Sequence, residues 1–430
     1  MKQINIGLIG WGTVGTGVIK LLRANASLIS RRLGGARLCI SRIADLDLKK
    51  KRGVAVPAKM LTREASRIIE DPAIRIVAEL TGSIEPAGEL IREALRKGKQ
   101  VVTANKALLA EKGKDLFREA RQNNRRIYYE ASVGGGIPII KILREGLAAN
   151  NIRSVLGIIN GTTNYILSRM TEEGMAFSAA LAEARKNGYA EKDPSLDLEG
   201  VDSAHKLVLL ASLAFGGWAD LKKIFVEGIT DITAEDIAST AGLGYTVKLL
   251  AIAKQTSAGA DIRVHPTLIK HHHLLSSVNG VFNAIYVEGD YSDRQIYQGK
   301  GAGEGPSASA VAADLIEAGR EILSGPTVDP DFIAGDGDLE LAPIGKVECR
   351  HYIRIPAVDR PGVLAKISNI LGSGGISIAS VIQRERRKSG VVPVILMTHK
   401  AGEQALARAV ARISRMAAVR GRPLRIRVED

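Results

Sequence analysis

Only two cysteines, Cys39 and Cys349, occur in the 430 residues, far apart in the chain. No disulfide framework and no CxxC metal motif can be built from them. A reducing cytoplasm is therefore the expected compartment. Aromatic residues are also scarce, at 4%. The basic runs 121–126 and 384–388 contain none. Single-stranded nucleic acid needs aromatic stacking platforms, so the net charge of +14 does not make nucleic acid an expected partner. That charge suits an anionic cofactor equally well. Long hydrophobic runs are missing too. The opening M-K-Q-I-N-I-G-L-I-G carries an apolar stretch of strand length, too short for a signal peptide or a membrane span. His271-His272-His273 is a run, whereas zinc ligands converge from separate turns.

Glycine, by contrast, is abundant, at 45 residues, which suits a fold with many tight turns. The length allows two or three domains. Residues 4–9 form a compact apolar strand that runs into Gly10-Trp11-Gly12-Thr13-Val14-Gly15 and then the helical pattern V-I-K-L-L. A lone GxGxxG is weak evidence, but strand before and helix after is the context in which it cradles a dinucleotide pyrophosphate. A second strand, 37–44, ends at Asp45, an acid placed to take the ribose hydroxyls of NAD. It comes later than the usual spacing of about 20 residues, because the first helix and the 31–35 loop intervene. Lys49-Lys50-Lys51-Arg52 follow and could hold a 2′-phosphate, so NAD and NADP both stay open.

Strands at 74–80, 100–103 and 126–130 alternate with helices at 87–97 and 107–123, which predicts a parallel doubly wound α/β sheet. Thr81 and Thr103 stand at strand ends, and Lys106 just beyond one, where a dinucleotide lies. Three glycines at 134–136 leave carbonyls able to turn inward as hard-cation ligands. Strand-like stretches are expected at 223–230, 261–270 and 283–289, and helices at 233–242 and 245–255. Gly303 lies in G-K-G-A-G-E-G, ahead of a helix at 310–320 that should return to the first domain.

The acid-rich loop 188–206 reads G-Y-A-E-K-D-P-S-L-D-L-E-G-V-D-S-A-H-K and opens an apolar core helix. Asp202 and Lys206 are four apart and share a helix face. Such a pair is commonly a surface ion pair. Here Glu191, Asp193, Asp197 and Glu199 accompany it, too many carboxylates for capping alone. A lysine at the entrance of a buried helix beside acids can donate a proton.

That block, with V-V-T-A-N-K-A-L-L-A at 101–110 and N-G-T-T-N-Y at 160–165, resembles the homoserine dehydrogenase family over nearly the whole chain. The resemblance implies NAD(P)-dependent interconversion of L-aspartate 4-semialdehyde and L-homoserine, in threonine, methionine and isoleucine biosynthesis. It implies Lys206 as proton donor, Lys106 beside the carbonyl and the nicotinamide, and Glu191 and Asp202 holding the substrate's amino end, with Gly188 and Asp197 in the same loop. Cofactor contacts follow at Gly10, Gly12, Thr13, Val14, Gly15, Asp45, Thr81, Thr103, Lys106 and Gly303. A monovalent cation, sodium or potassium, is implied at Glu130 and the carbonyls of Val133, Gly135 and Ile137. A homodimer or homotetramer is also implied. Three positions depart from the family pattern. Lys192 replaces a small residue or Pro, Ala44 stands where an Arg favouring NADP is common, and Ser307 replaces Thr.

The C-terminal stretch reads βαββαβ, a ferredoxin-like order. D-R-P-G-V-L-A-K-I-S and G-I-S-I-A-S-V-I-Q resemble the ACT regulatory domain, which implies an amino-acid effector, threonine, at Asp359 to Gly362. The expected partition is 1–137 for the Rossmann-type dinucleotide domain, completed by about 305–325, and 138–304 for an α+β substrate and dimerisation domain. A linker at 326–346 and the ACT domain at 347–430 complete it. A chain cut after Gly345 should then stay active. Two rivals are an acylating semialdehyde dehydrogenase, which needs a nucleophilic cysteine, and a catalytically inactive amino-acid sensor on the same scaffold.

Overall fold

The computed structural model describes residues 2–325, 337–383 and 390–429. They fall into two compact units. The first comprises Met1–Gly161, Asp202–Lys223 and Val281–Leu339, and the second Thr162–Val201, Ile224–Gly280 and Glu340–Asp430.

The first unit opens with β1 (Gln3–Ile9), α1 (Thr13–Ala24), β2 (Arg37–Ala44), β3 (Leu61–Thr62), β4 (Ile74–Glu79), α2 (Ala87–Arg96), β5 (Gln100–Thr103), α3 (Lys106–Gln122) and β6 (Ile127–Tyr128). The six strands are parallel in the order β3-β2-β1-β4-β5-β6. This is the doubly wound α/β sheet expected from the alternation. Ile9 aligns with Ala44 on one side and Glu79 on the other, so three carboxyl-terminal strand ends form one edge. Gly10 continues β1 with φ +96°, and a Cβ there would meet the Leu80 carbonyl carbon at 2.7 Å. Only glycine makes that turn without strain.

Next along the chain come β7 (Ile152–Ile158), α4 (Gly161–Glu173), α5 (Phe177–Lys186), α6 (Val201–Phe215), β8 (Phe225–Val226), α7 (Ala234–Gly242), β9 (Tyr245–Thr256), β10 (Gly259–Lys270), β11 (Phe282–Gly289), β12 (Asp293–Lys300) and α8 (Glu304–Ser324). In the first unit β11 pairs antiparallel with both β7 and β12. Helix α8 starts earlier than expected, after Gly303. It packs on α1, where a Cβ on Gly17 would meet Glu304 O at 2.7 Å. Its Ala308, Val311 and Leu315 join Ile4, Leu8 and Val18 in one core.

In the second unit, 245–255 is not the expected helix. It is β9, paired residue for residue with β10 through a hairpin. Eight of its first ten residues, all but Thr246 and Lys254, are buried, on both strand faces alike, which erases the alternation that marks a strand. Helix α7 matches the expectation, and a Thr233–Asp236 capping box starts it.

The C-terminal elements are β13 (Glu348–Val358), α9 (Val363–Ser373), β14 (Ile378–Gln383), β15 (Val391–Thr398), α10 (Glu403–Ser414) and β16 (Leu424–Glu429). They follow the expected ferredoxin-like order, with strands as β16-β13-β15-β14. Residues 384–388, one of the basic runs, lie outside the described residues. Of the expected linker, 326–336 is also outside them. The remainder is paired chain, with Asp338 bridging Trp218 and Leu341 bridging Ala260.

The module is not an appendage. β16 pairs in parallel with β10, Thr267 to Arg427 through Ile269 to Glu429. One sheet thus runs from β9 to β14. A cut after Gly345, expected to leave an active chain, would strip a strand from β10. The join is cemented by buried charge. Arg427 donates to Glu403 through Nη2 (2.7 Å) and Nε (3.1 Å) and to Glu227 through Nη1 (2.8 Å). His351 Nε2 lies 3.1 Å from Glu403, and Arg425 Nη1 2.7 Å from it.

Burial alone would raise the Glu403 carboxyl, but the His351 and Arg427 hydrogen bonds outweigh it and bring it down to about 2. A depressed carboxyl contributes stability that is present above its unfolded value near 4.5 and lost as pH falls toward 2. Glu403→Gln should therefore be less stable at pH 6, by about 3 kcal/mol for a broken buried ion cluster. It should also lose less further stability between pH 5 and pH 3 than the parent chain. Denaturant unfolding at both pH values checks this, and parallel declines would remove Glu403 from the account.

Candidate active site

The carboxyl edge of the first sheet carries the dinucleotide features. Gly12 caps α1 with no side-chain acceptor and no acid in the first turn, which leaves the helix amides of Thr13 and Val14 for a phosphate. A Cβ on Gly15 would strike Gly10 O at 2.5 Å, while Gly12 has open space. The turn is closed on its inner side and open where a pyrophosphate would lie, so the residues fit the cofactor.

Asp45 does not stand alone at the end of β2. Its Oδ2 accepts the Trp11 amide at 2.6 Å and its Oδ1 pairs with Arg52 Nη2 at 2.9 Å. The Arg52 guanidinium lies 4.6 Å from the Trp11 ring centroid. Of the basic cluster, Lys49, Lys50 and Lys51 are exposed, and it is Arg52 that reaches the ribose acid.

Beneath the crevice sits a residue that sequence reasoning missed. Glu79 is fully buried at the end of β4. One oxygen accepts the Thr81 amide (2.8 Å) and hydroxyl (2.6 Å), and the other the Thr103 hydroxyl (2.8 Å). Thr103 Oγ1 in turn accepts the Asn105 amide. Thr103 thus has its hydroxyl spent inside the protein and only main chain left for a cofactor. Asn105 caps α3 by accepting from the Leu108 amide, and so sets Lys106 at the start of that helix.

Lys106 meets the entrance of α6. Its ammonium lies 2.7 Å from Asp202 Oδ1, and Lys206 Nζ lies 2.6 Å from Asp202 Oδ2. Asn160 Nδ2 donates to the same Oδ2 at 2.9 Å, and Lys206 also donates to Ile159 O at 2.6 Å. Asp202 is 6% exposed. Burial would raise its carboxyl, but the Lys206 and Lys106 ammoniums hold it well below the usual carboxylate range. The i,i+4 pair is therefore buried, and Lys106, half-exposed, adds a second cation to the same carboxylate. Asn160 opens the N-G-T-T-N-Y stretch, where nothing local marks it as a partner of Asp202. A proton donor and a second cation, fixed on one carboxylate at a strand-end crevice, can stabilise and protonate a developing alkoxide.

Gly188, Glu191 and Asp197 belong to the second unit. Gly188 (φ +74°) and Glu191 are exposed. Asp197 Oδ2 accepts the Thr162 hydroxyl at 2.9 Å, and that hydroxyl also reaches Tyr189 O. Gly303, in the first unit, caps α8 at φ +123°.

The cation candidates gather in the first unit. Glu130 takes the Ile140 and Lys141 amides on its two oxygens. Burial pushes its carboxyl up to about 7, against those amides. The Ile137 carbonyl accepts the Ile139 amide, while no backbone amide among the described residues donates to the Val133 or Gly135 carbonyl. An all-oxygen set with a poorly compensated buried carboxylate fits a hard cation. Semialdehyde acylation would need a presented thiol, but Cys39 lies within β2 and Cys349 is buried in β13, where burial pushes its thiol up to about 11.

A glycine-cradled dinucleotide edge beside two lysines held on one buried carboxylate defines an NAD(P)-dependent oxidoreductase, and known proteins agree. A homoserine dehydrogenase NAD-binding-domain model matches residues 10–130, a homoserine dehydrogenase model 138–316 and an ACT-domain model 351–417. The homoserine dehydrogenase of Pseudomonas aeruginosa is 43% identical over 100% of both chains. The crystal structure of a homoserine dehydrogenase from Thiobacillus denitrificans is 44% identical with a TM-score of 0.94, covering 100% of this chain and 99% of that one. A hyperthermophilic archaeal homoserine dehydrogenase mutant in complex with NADPH is 27% identical with a TM-score of 0.64, covering 76% of this chain and all of that one. The chain belongs to the homoserine dehydrogenase family.

Asp202→Asn tests the lysine clamp. Removing one partner of a buried ion group leaves two cations uncompensated and should cost about 3 kcal/mol of stability. Misplacing Lys206 should lower kcat/KM by roughly a hundredfold. Unchanged kcat/KM with normal stability would show that the clamp has no part in the site.

Proposed function

We propose that the chain reduces L-aspartate 4-semialdehyde to L-homoserine, and runs the reverse reaction, with Lys206 as proton donor. The observation that carries this is Asp202 bridging Lys106 and Lys206 at the strand-end crevice. A bound reduced nicotinamide supplies the hydride to the aldehyde carbon. As the C=O bond opens, the oxygen gains a proton from the Lys206 ammonium, which is later restored from solvent. Lys106 adds positive charge beside that oxygen. Glu191 and Asp202 hold the substrate's ammonium, with Gly188 and Asp197 shaping the loop around it. Gly10, Gly12, Thr13, Val14 and Gly15 take the pyrophosphate. Asp45, Thr81, Thr103 and Gly303 complete the cofactor contacts, Thr103 through its main chain. The Asp45–Arg52 pair supports acceptance of both NAD and NADP, because the acid that would repel a 2′-phosphate is already paired with a cation.

The same reading keeps the domain partition given above, a sodium or potassium ion at Glu130, Val133, Gly135 and Ile137, and a homodimeric or homotetrameric, cytoplasmic enzyme. No helix among the described residues is long and apolar enough to cross a membrane. The C-terminal module would bind an amino acid, threonine, and lower the activity. The pathway placement follows from the product.

Lys206→Ala should lower turnover of semialdehyde by about two to four orders of magnitude with NADH or NADPH, the range for a lost general acid. Lys206→Arg should be impaired as well, since guanidinium does not release its proton near neutrality. Near-parental kcat in both would remove Lys206 from the mechanism.

For the cation, activity in tetramethylammonium buffer should rise as KCl or NaCl is added, and Glu130→Gln should blunt the rise. Equal rates in all three salts would sink this assignment.

A further inference from the structure

Asp202, Asp236, Asp314 and Glu403 are buried carboxylates, and each has a lysine or arginine at ion-pair distance. Glu79 is different. It is the last residue of β4 and fully buried, and no ion pair to it occurs among the described residues. Its partners are the Thr81 amide at 2.8 Å, the Thr81 hydroxyl at 2.6 Å and the Thr103 hydroxyl at 2.8 Å. They donate to both of its oxygens, as donors do to an ionised carboxylate. Neutral donors satisfy such a group without cancelling its charge. An unneutralised charge inside a protein is costly, and a cation that arrives with a ligand recovers part of that cost.

The position of Glu79 says which ligand that is. In a doubly wound sheet of this order each half serves one mononucleotide. Asp45, at the end of β2, marks the half for the adenosine ribose, so the nicotinamide mononucleotide falls to the β4–β5–β6 half. Glu79 and Thr103 are register partners at the carboxyl ends of β4 and β5. The oxidised nicotinamide ring carries a positive charge and the reduced ring carries none. Transfer of hydride to the aldehyde carbon therefore creates a cation over that half of the sheet.

We propose that Glu79 is a positioning residue that also sets the redox bias of the bound cofactor. Its charge favours the oxidised, cationic ring over the reduced one and so draws hydride toward the substrate. The two contributions are separable. Holding Thr81 and Thr103 in place acts on both cofactor forms alike, because both use the same strand ends. The charge acts only on the form that is itself charged. A unit charge about 10 Å from another, at an effective dielectric constant of about 20, changes an equilibrium by roughly tenfold. The inference rests on the cofactor reading above and is independent of the role given to Lys206.

The test measures dissociation constants of NAD+ and NADH, and of the NADP pair, for the full-length chain without substrate. Calorimetry reads the oxidised forms and nicotinamide fluorescence the reduced ones. Glu79→Gln removes the charge and keeps the shape of the side chain. It should weaken the oxidised form about tenfold more than the reduced form. Glu79→Asp keeps the charge but shortens the reach to both threonines, and should weaken the two forms alike. Should Glu79→Gln fold poorly, combining it with Thr103→Val takes out a donor along with its acceptor, and the same selective loss is expected. Equal losses of oxidised and reduced cofactor in these neutral variants would overturn the proposal while leaving the cofactor reading intact. A parent chain that binds neither form would sink the cofactor reading, and this inference with it.

Discussion

The Asp202 carboxylate is the constraint on which the site turns. A buried anion of this kind is costly unless it is paired, and here two ammoniums and the Asn160 amide satisfy it. The pairing works in both directions. It keeps Asp202 ionised, and it fixes two flexible lysine stems that would otherwise sample many rotamers. Lys106 arrives from the start of α3, which Asn105 caps, and Lys206 from the first turns of α6. Loss of either helix start would dissolve the group.

The floor beneath is organised by the same economy of buried charge. Glu79 uses its two oxygens to bind Thr81 and Thr103, which ties the ends of β4 and β5 together where a cofactor must rest. Arg52 and Asp45 do this at the end of β2. In the second unit Glu403 gathers Arg427, Arg425 and His351. The regulatory-type module and the β9–β10 hairpin then share one sheet rather than a flexible tether. The C-terminal module is joined to β10 directly, because β16 is hydrogen-bonded to it.

Much of this was legible in the residues. The strand-Gly-helix opening, the α/β alternation and the βαββαβ tail each rest on local periodicity and turn chemistry, which survive in a single chain read from end to end. The i,i+4 spacing of Asp202 and Lys206 placed them on one face before any coordinates. Other features were hidden for definite reasons. The 245–255 segment is apolar on both faces and rich in Leu, Ala and Lys, so nothing local separated a doubly buried strand from a core helix. β12 (D-R-Q-I-Y-Q-G-K) is polar and half exposed, and gave no apolar signal at all.

What the residues by themselves determined, then, was the set of elements and the chemical types at their ends. Glycines that only a tight turn requires, acids and lysines at helix starts, and apolar runs of strand length are all local properties. What only the tertiary structure decided was pairing across distance. Lys106 joins Lys206 on one carboxylate, Glu79 ties two strand ends, Arg52 neutralises Asp45, and β16 closes on β10. A salt bridge or a ladder hydrogen bond acts over about 3 Å. The partners' separation along the chain carries no information about whether that distance is reached.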